Sequence, residues 1–146
     1  MISNNGNNVF NEKPFALCVK FVREEAYCAP YILLFEMNRG ISEVEVAKRH
    51  DSEKDWMNCA EVDARPFLHY LQYLTYVRLG EPDKQLHAMG MLESYLFDLR
   101  YRINIYHKET AMHLLAHCHE MEGDYERALD CYDISLRCLD TNNAAH

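Results

Sequence analysis

Apolar residues recur at spacings of three and four along most of this chain, which is the periodicity of helices with one buried face. The 146 residues include only five glycines and four prolines, so few positions interrupt the pattern. Strict alternation of apolar and polar residues, which is typical of half-buried strands, does not dominate. The chain is therefore predicted to be all-α, with about seven helices packed as stacked antiparallel hairpins.

In the N-terminal part, capping signals divide the pattern into short helices. The expected helices run from about Phe15 to Tyr27, from Pro30 to Met37, from Ser42 onward, and from Ser52 to about Ala60. Glu45 follows Ser42 at the spacing of a capping box, which supports a helix start there. Trp56, the only tryptophan, is expected in the core.

The second half of the chain predicts longer helices. Asp63 can cap a helix that continues without a breaker to Gly80, and its apolar residues surround most of the circumference. A helix that is apolar nearly all round is expected at the centre of the stack. Its antiparallel partner is expected from Asp83 to about Arg100, across the turn at Gly80.

The segment 107–142 resembles a tetratricopeptide repeat, a pair of antiparallel helices joined by a tight turn. The positions that define the match are Gly123, Tyr125, Ala128, Tyr132, Ser135 and Leu136. Two positions depart from the family pattern, because His119 replaces an aromatic residue and Asp140 replaces the closing proline. A weaker copy of the turn lies at Gly80, 43 residues earlier (123 − 80 = 43), whereas the family spacing is about 34.

The length of the chain suits one domain, which we expect to be helical over residues 13–146, and the polar, Asn-rich start predicts a disordered tail at 1–12. The resemblance to a tetratricopeptide repeat implies that one face of the first helix of the repeat lines a groove for a protein partner. The implied groove residues are Thr110, His113, Leu114, His117, Glu120 and Met121. After Asn142 the register restarts as if another repeat began. Either the native protein is longer, or the last helix ends the stack with an apolar face available, which would favour a homo-oligomer.

A second resemblance concerns the runs VDARPFLHYLQYLTY and HKETAMHLLAHCHEMEGDYERALDCY. They are similar to C-terminal helical regions appended to invertebrate nucleotidyltransferase-like proteins of the cyclic-GMP-AMP-synthase-like group. That resemblance implies a regulatory or oligomerising module of an innate immune protein. It implies no transferase activity for this chain, which has no Gly-Ser loop followed by a strand with paired carboxylates.

The charge and composition of the chain exclude some classes of binding partner. The net charge is −8 and the basic residues are scattered, so neither the basic patch of a nucleic-acid-binding protein nor an apolar run long enough to span a membrane is present. The N-terminal residues do not have the pattern of a secretory signal, and the six cysteines include no CxxC pair. We therefore expect a cytoplasmic protein with reduced thiols, and a protein partner rather than nucleic acid or membrane.

Candidate chemistry is sparse. His113 and His117 are four residues apart on one helix face, which allows a shared metal ion, but Leu114 stands where a zinc protease of the HExxH type has its glutamate. A nucleophilic pair of cysteine and histidine has no evident orienting residue. We therefore expect no catalytic residue, no metal and no cofactor, and a function in protein–protein interaction. The acidic stretch of Glu120, Glu122, Asp124, Glu126, Asp130 and Asp133 is interpreted as a solvated face or as a docking site for a basic segment.

Overall fold

The computed structural model describes residues 18–37, 58–100 and 105–138, together with the single helical positions Val44, Ala47 and Asp51. In chain order, the elements with described bounds are β1 (Cys18–Val22), a 3₁₀ helix (Arg23–Cys28), α1 (Tyr31–Met37), β2 (Cys59–Asp63), α2 (Ala64–Leu79), α3 (Pro82–Phe97), α4 (Lys108–Met121) and α5 (Tyr125–Cys138). The expected tail at 1–12, the pair Ser42 and Glu45, Trp56 and the segment 143–146 lie outside the described residues.

The described chain is mostly helical, as predicted, but a small antiparallel sheet departs from the all-α prediction. β1 and β2 pair with Cys18 opposite Asp63 and Val22 opposite Cys59. The helices expected at 15–27 and 52–60 are therefore wrong over these residues, although most of the described chain is helical. The physical reason is that every second residue faces the core: Val62 is fully buried, and Phe21 packs edge-on against Phe67, with 5.8 Å between ring centroids.

The helical hairpin of α2 and α3 follows its predicted bounds. Asp63 precedes α2 and Gly80 ends it in a left-handed conformation with φ of 67°. The amide of Glu81 then donates to the carbonyl of Tyr76, five residues earlier, and the amide of Gly80 donates to the carbonyl of Val77. This pair of bonds is the Schellman motif, which satisfies carbonyls at a helix end. α3 ends at Phe97, close to the predicted end.

The second hairpin, of α4 and α5, repeats the same turn. Gly123 has φ of 78°, its amide donates to the carbonyl of Glu120, and the amide of Asp124 donates to the carbonyl of His119. Ala128 faces α4 and is buried, as expected for a close approach of two helices. The two hairpins therefore share one turn geometry, which agrees with the sequence analysis of Gly80 and Gly123.

The central helix of the described fold is α4, and the prediction of α2 as the central helix is wrong. α4 packs against α5, α2, α3, α1 and β2, and nine of its fourteen residues are buried. α2 keeps one exposed side, with Leu68 and Leu79 more than half exposed. The core therefore forms around α4, and most side chains on that helix are enclosed by its neighbours.

Among the described residues, no helix combines the length and apolar character that crossing a membrane would require. All six cysteines are described, and no disulfide joins any of them.

Candidate functional site

Half of the predicted groove lies inside the protein. Thr110, His113 and Leu114 have exposures of 1%, 3% and 0% because α1, α2 and α5 cover this part of α4. The hydroxyl oxygen of Thr110 is buried and has no hydrogen-bond partner among the described residues. These three residues do not line an open groove, so that part of the sequence-based site is wrong. A side chain enclosed in this way contributes to packing rather than to contact with a partner.

The other three predicted groove residues lie nearer the surface. The Nδ1 atom of His117 is 2.7 Å from the hydroxyl of Tyr70, and burial lowers the pKa of His117, so its neutral ring can accept this hydrogen bond. Glu120 accepts a hydrogen bond of 3.1 Å from the hydroxyl of Tyr132. Met121 is exposed. These contacts link α4 to α2 and α5 and leave only the end of α4 open to solvent.

A row of buried polar side chains connects α1, α4 and α5. The Nδ1 atom of His113 is 2.5 Å from a carboxylate oxygen of Glu36, and its Nε2 atom is 2.8 Å from the hydroxyl of Ser135. That hydroxyl donates a hydrogen bond of 3.1 Å to the carbonyl of Glu109. Both ring nitrogens of His113 are therefore engaged, and since His117 contacts a different partner, the two histidines do not converge on one metal position.

Ser135, His113 and Glu36 contact one another in the order of a serine hydrolase triad, but they are buried more deeply than the residues of an active site. Glu36 and Ser135 have exposures of 1% and 0%, so no substrate can reach the hydroxyl without separating α4 from α5. The hydroxyl of Ser135 is also held between two partners, the backbone carbonyl of Glu109 at 3.1 Å and the Nε2 atom of His113 at 2.8 Å. The arrangement therefore favours a structural role, in which buried polar groups satisfy one another across three helices.

Sequence analysis did not identify Glu36, although a signal was present. In α1 the buried residues are Ile32, Leu33, Glu36 and Met37, which recur at helical spacing. A carboxylate on the apolar face of a short helix requires a buried partner. That partner, His113, lies far away in sequence, so the pattern of α1 alone could not reveal it.

The thiols near the core are poor nucleophiles. Burial raises the pKa of Cys118, and burial together with the charge of Glu93 raises the pKa of Cys131 to about 11. Because the thiolate is the reactive form, these two cysteines are unreactive near neutral pH.

The outer face of α5 exposes large apolar side chains. Tyr125 and Leu129 are one turn apart and are 67% and 66% exposed, and Leu136 continues the same face with partial exposure. Tyr132 lies on this face as well, but it also packs against the core. Of the repeat-defining positions, Gly123, Ala128, Tyr132 and Ser135 therefore serve the hairpin, whereas Tyr125 and Leu136 reach the surface.

Acidic side chains border this apolar stripe, which we define as Tyr125, Leu129 and Leu136. The carboxylates of Glu126, Asp130 and Asp133 are exposed on the adjoining side of α5. Their spacing of four and three residues places them on one face of the helix, next to the stripe. The surface of α5 thus combines an apolar strip with an acidic margin.

A second cluster of chemically versatile side chains lies where the sheet meets the start of α4. The thiol sulfur of Cys18, a carboxylate oxygen of Glu61 and a ring nitrogen of His107 lie within 4.8 Å of one another, and all three residues are partly buried. The side-chain hydrogen bond and charge of Glu109 raise the pKa of His107, although burial opposes this. Burial and the charges of Asp63 and Glu61 raise the pKa of Cys18. Sequence analysis missed this cluster because it expected a helix where β1 lies.

Comparison with known proteins found no match to a family model, to a curated protein or to a solved structure. The resemblances to a tetratricopeptide repeat and to a nucleotidyltransferase-associated region are neither supported nor contradicted by these comparisons.

Proposed function

We propose that this chain is a non-catalytic protein-interaction domain in which α4 and α5 form a tetratricopeptide-like hairpin with a binding surface on α5. The observation that carries the proposal is the exposure of Tyr125 and Leu129, one turn apart on the outer face of that helix. In stacked helical repeats, residues at such positions pack against the next helix. Large exposed aromatic and aliphatic side chains are also typical anchors of protein interfaces.

The chemistry of the surface favours an amphipathic helix with basic flanks as the occupant. An apolar stripe at helical spacing accepts the apolar face of a partner helix. The exposed carboxylates of Glu126, Asp130 and Asp133 border the stripe and would face lysine or arginine side chains of that partner. The net charge of −8 adds a long-range attraction for basic segments.

Self-association is an alternative use of the same stripe. A second copy would bring an identical apolar strip, but also an identical acidic margin and the same net charge of −8. Like charges across an interface disfavour the pairing. We therefore propose a basic helix as the occupant and treat self-pairing as an outcome that the test must distinguish.

The absence of catalysis is part of the proposal. It is supported by the enclosure of Ser135, His113 and Glu36 in the core, where they cannot meet a substrate. It is also supported by the raised pKa of the Cys118 thiol and the raised pKa of the Cys131 thiol, which keep both groups protonated.

The proposal can be tested with synthetic amphipathic helices that share one apolar face and differ only in their flanks. We expect a lysine-flanked peptide to bind, and a glutamate-flanked peptide to bind much more weakly, in fluorescence anisotropy titrations. Replacing Tyr125 and Leu129 by serine should weaken binding by about 30-fold or more, because truncating a buried interface anchor costs about 2 kcal/mol or more. Asp130→Lys should slow association and reduce its dependence on salt.

The matched control is Leu68→Ser, which removes a similarly exposed leucine from α2. It should leave peptide binding unchanged. If the parent chain sediments as a dimer and the Tyr125→Ser, Leu129→Ser variant as a monomer, the stripe serves self-pairing instead. If the double substitution changes neither peptide binding nor oligomeric state, α5 is not an interaction surface and the proposal fails.

A further inference from the structure

We propose that Cys18, Glu61 and His107 form a Zn²⁺ site on the outer face of the two-stranded sheet. This inference is independent of the interaction function, since the cluster lies on the sheet and not on α5. The sheet positions Cys18 and Glu61, and the chain before α4 positions His107, so that three side chains of metal-binding type lie close together.

The register of the sheet brings the first two ligands together. Cys18 lies opposite Asp63, and Lys20 lies opposite Glu61. Since side chains alternate along a strand, Cys18 and Glu61 share one face and are diagonal neighbours across the ladder. The intervening Val62 points to the other face, where it is fully buried. The ladder therefore presents a thiol and a carboxylate side by side, away from the core.

Asp63 positions the third ligand. Its two carboxylate oxygens accept hydrogen bonds from the backbone amides of Tyr106, at 3.0 Å, and His107, at 2.8 Å. These bonds hold the chain before α4 against the outer face of the sheet. As a result, the Nε2 atom of His107 lies 3.8 Å from a carboxylate oxygen of Glu61. Asp63, predicted as a helix cap, thus makes no side-chain cap bond to α2 and anchors a distant segment instead.

The separations suit a small metal ion. Zinc binds thiolate sulfur at about 2.3 Å and nitrogen or oxygen at about 2.0–2.1 Å, so tetrahedral ligands are about 3.3–3.7 Å apart. The three candidate atoms lie within 4.8 Å of one another. All three side chains are partly buried, and rotations that move their ligand atoms by at most about 1.5 Å would bring each pair to the bonded geometry. The partial exposure of the three residues leaves a fourth position for water.

The surroundings of the cluster match those of a metal-bound histidine. The Nδ1 atom of His107, on the other side of its ring, is 3.6 Å from a carboxylate oxygen of Glu109. Metal-binding histidines commonly turn their second nitrogen to a carboxylate, which orients the ring. The thiol of Cys18 is 3.9 Å from a carboxylate oxygen of Asp63. Three carboxylates and one thiol surround a single imidazole, and a divalent cation would compensate this negative charge.

The donor set selects the metal. Thiolate and imidazole ligands favour zinc and related transition metals, whereas magnesium and calcium take oxygen ligands. The cluster offers one sulfur, one nitrogen and one carboxylate, which is a zinc-type set. We therefore expect Zn²⁺ and Co²⁺ to bind and Mg²⁺ not to bind.

The test uses the full chain, freed of metal by a chelator and then dialysed. Titration calorimetry should give one Zn²⁺ per chain, and Co²⁺ should produce the near-ultraviolet absorption band of thiolate coordination. Zinc should also raise the thermal midpoint, because a ligand that binds only the folded state stabilises it. The absence of the Co²⁺–thiolate band would exclude Cys18 as a ligand and overturn the proposal.

Zinc binding by variants of the three proposed ligands tests whether these residues form the site. Cys18→Ser, Glu61→Gln and His107→Gln should each weaken zinc binding by about 100-fold or more, and Glu109→Gln by about 10-fold. Far-UV circular dichroism identifies any variant that fails to fold, and the others then decide the outcome.

The control variants are Cys138→Ser and His87→Gln, which alter an exposed thiol and an exposed imidazole elsewhere. They should bind zinc like the parent. Zinc affinity that survives in every folded ligand variant, or that falls in the controls instead, would show that the metal binds another surface group and would overturn the site.

Discussion

Replacing Glu36 by leucine removes the carboxylate from the buried row of polar side chains while filling nearly the same volume. Glu36 and His113 have exposures of 1% and 3%, and their polar atoms are 2.5 Å apart. Removing one partner of a buried hydrogen bond typically destabilises a protein by about 1–3 kcal/mol, and by more where a charged group takes part, because the remaining polar atom stays buried without that bond. A domain of this size has a free energy of unfolding of about 5–15 kcal/mol, so the expected loss is a measurable fraction of the total.

The expected loss depends on the partner that remains. When His113 is also replaced by leucine, neither member of the pair is left without its partner, and replacing both members of such a pair by apolar residues is often nearly neutral. The double variant should therefore be more stable than Glu36→Leu, with a coupling energy of about 1–3 kcal/mol. Ser135 keeps its hydrogen bond to the carbonyl of Glu109 in both variants. Glu24→Leu, at an exposed glutamate, is the control and should stay within about 0.5 kcal/mol of the parent.

Urea denaturation followed by far-UV circular dichroism measures these free energies, provided that the slope with denaturant is unchanged. The reasoning would be refuted if Glu36→Leu cost less than about 1 kcal/mol, or if the double variant lost the sum of the two single losses. Either result would mean that Glu36 and His113 do not act as a buried pair.

Three further predictions test the second hairpin and the protonation of its buried groups. Ala128→Leu should lose about 1–3 kcal/mol in a urea melt because Ala128 is buried against α4, whereas Glu126→Gln on the exposed face should stay within about 0.5 kcal/mol. Gly123→Ala should lose about 1 kcal/mol because Gly123 has φ of 78°. Gly90→Ala, within a helix and with open space around the added methyl group, should gain about 0.4–1 kcal/mol, and an equal effect at both glycines would contradict the turn geometry. Burial lowers the pKa of His117 below 6.5, so the unfolded chain takes up a proton first as the pH falls. As the pH falls from 6.5 to the lowered pKa of His117, the thermal midpoint of the parent should decrease. The midpoint of His117→Gln should decrease less over the same pH range.

The sequence by itself determined the local features of the long helices. The bounds of α2, the turn at Gly80 and the turn at Gly123 could all be predicted, because glycine at a helix end is a signal of local backbone geometry. The position of Ala128 at a helix contact could likewise be predicted from the repeat pattern. Such features depend on residues within one or two turns of each other, so they can be inferred without knowledge of the rest of the fold.

Only the tertiary structure decided which surfaces are buried and which side chains meet. The strand at Cys18–Val22 exists because it pairs with Cys59–Asp63, a partner that no local pattern identifies. The enclosure of His113 followed from α4, rather than α2, lying at the centre, which depends on how the helices pack around one another. The same holds for the cluster around Cys18 and His107, whose members come from distant segments joined by the sheet register and by hydrogen bonds to Asp63. Sequence periodicity reports how much of a helix is apolar, but the neighbours that cover it are chosen by the packing of the whole chain.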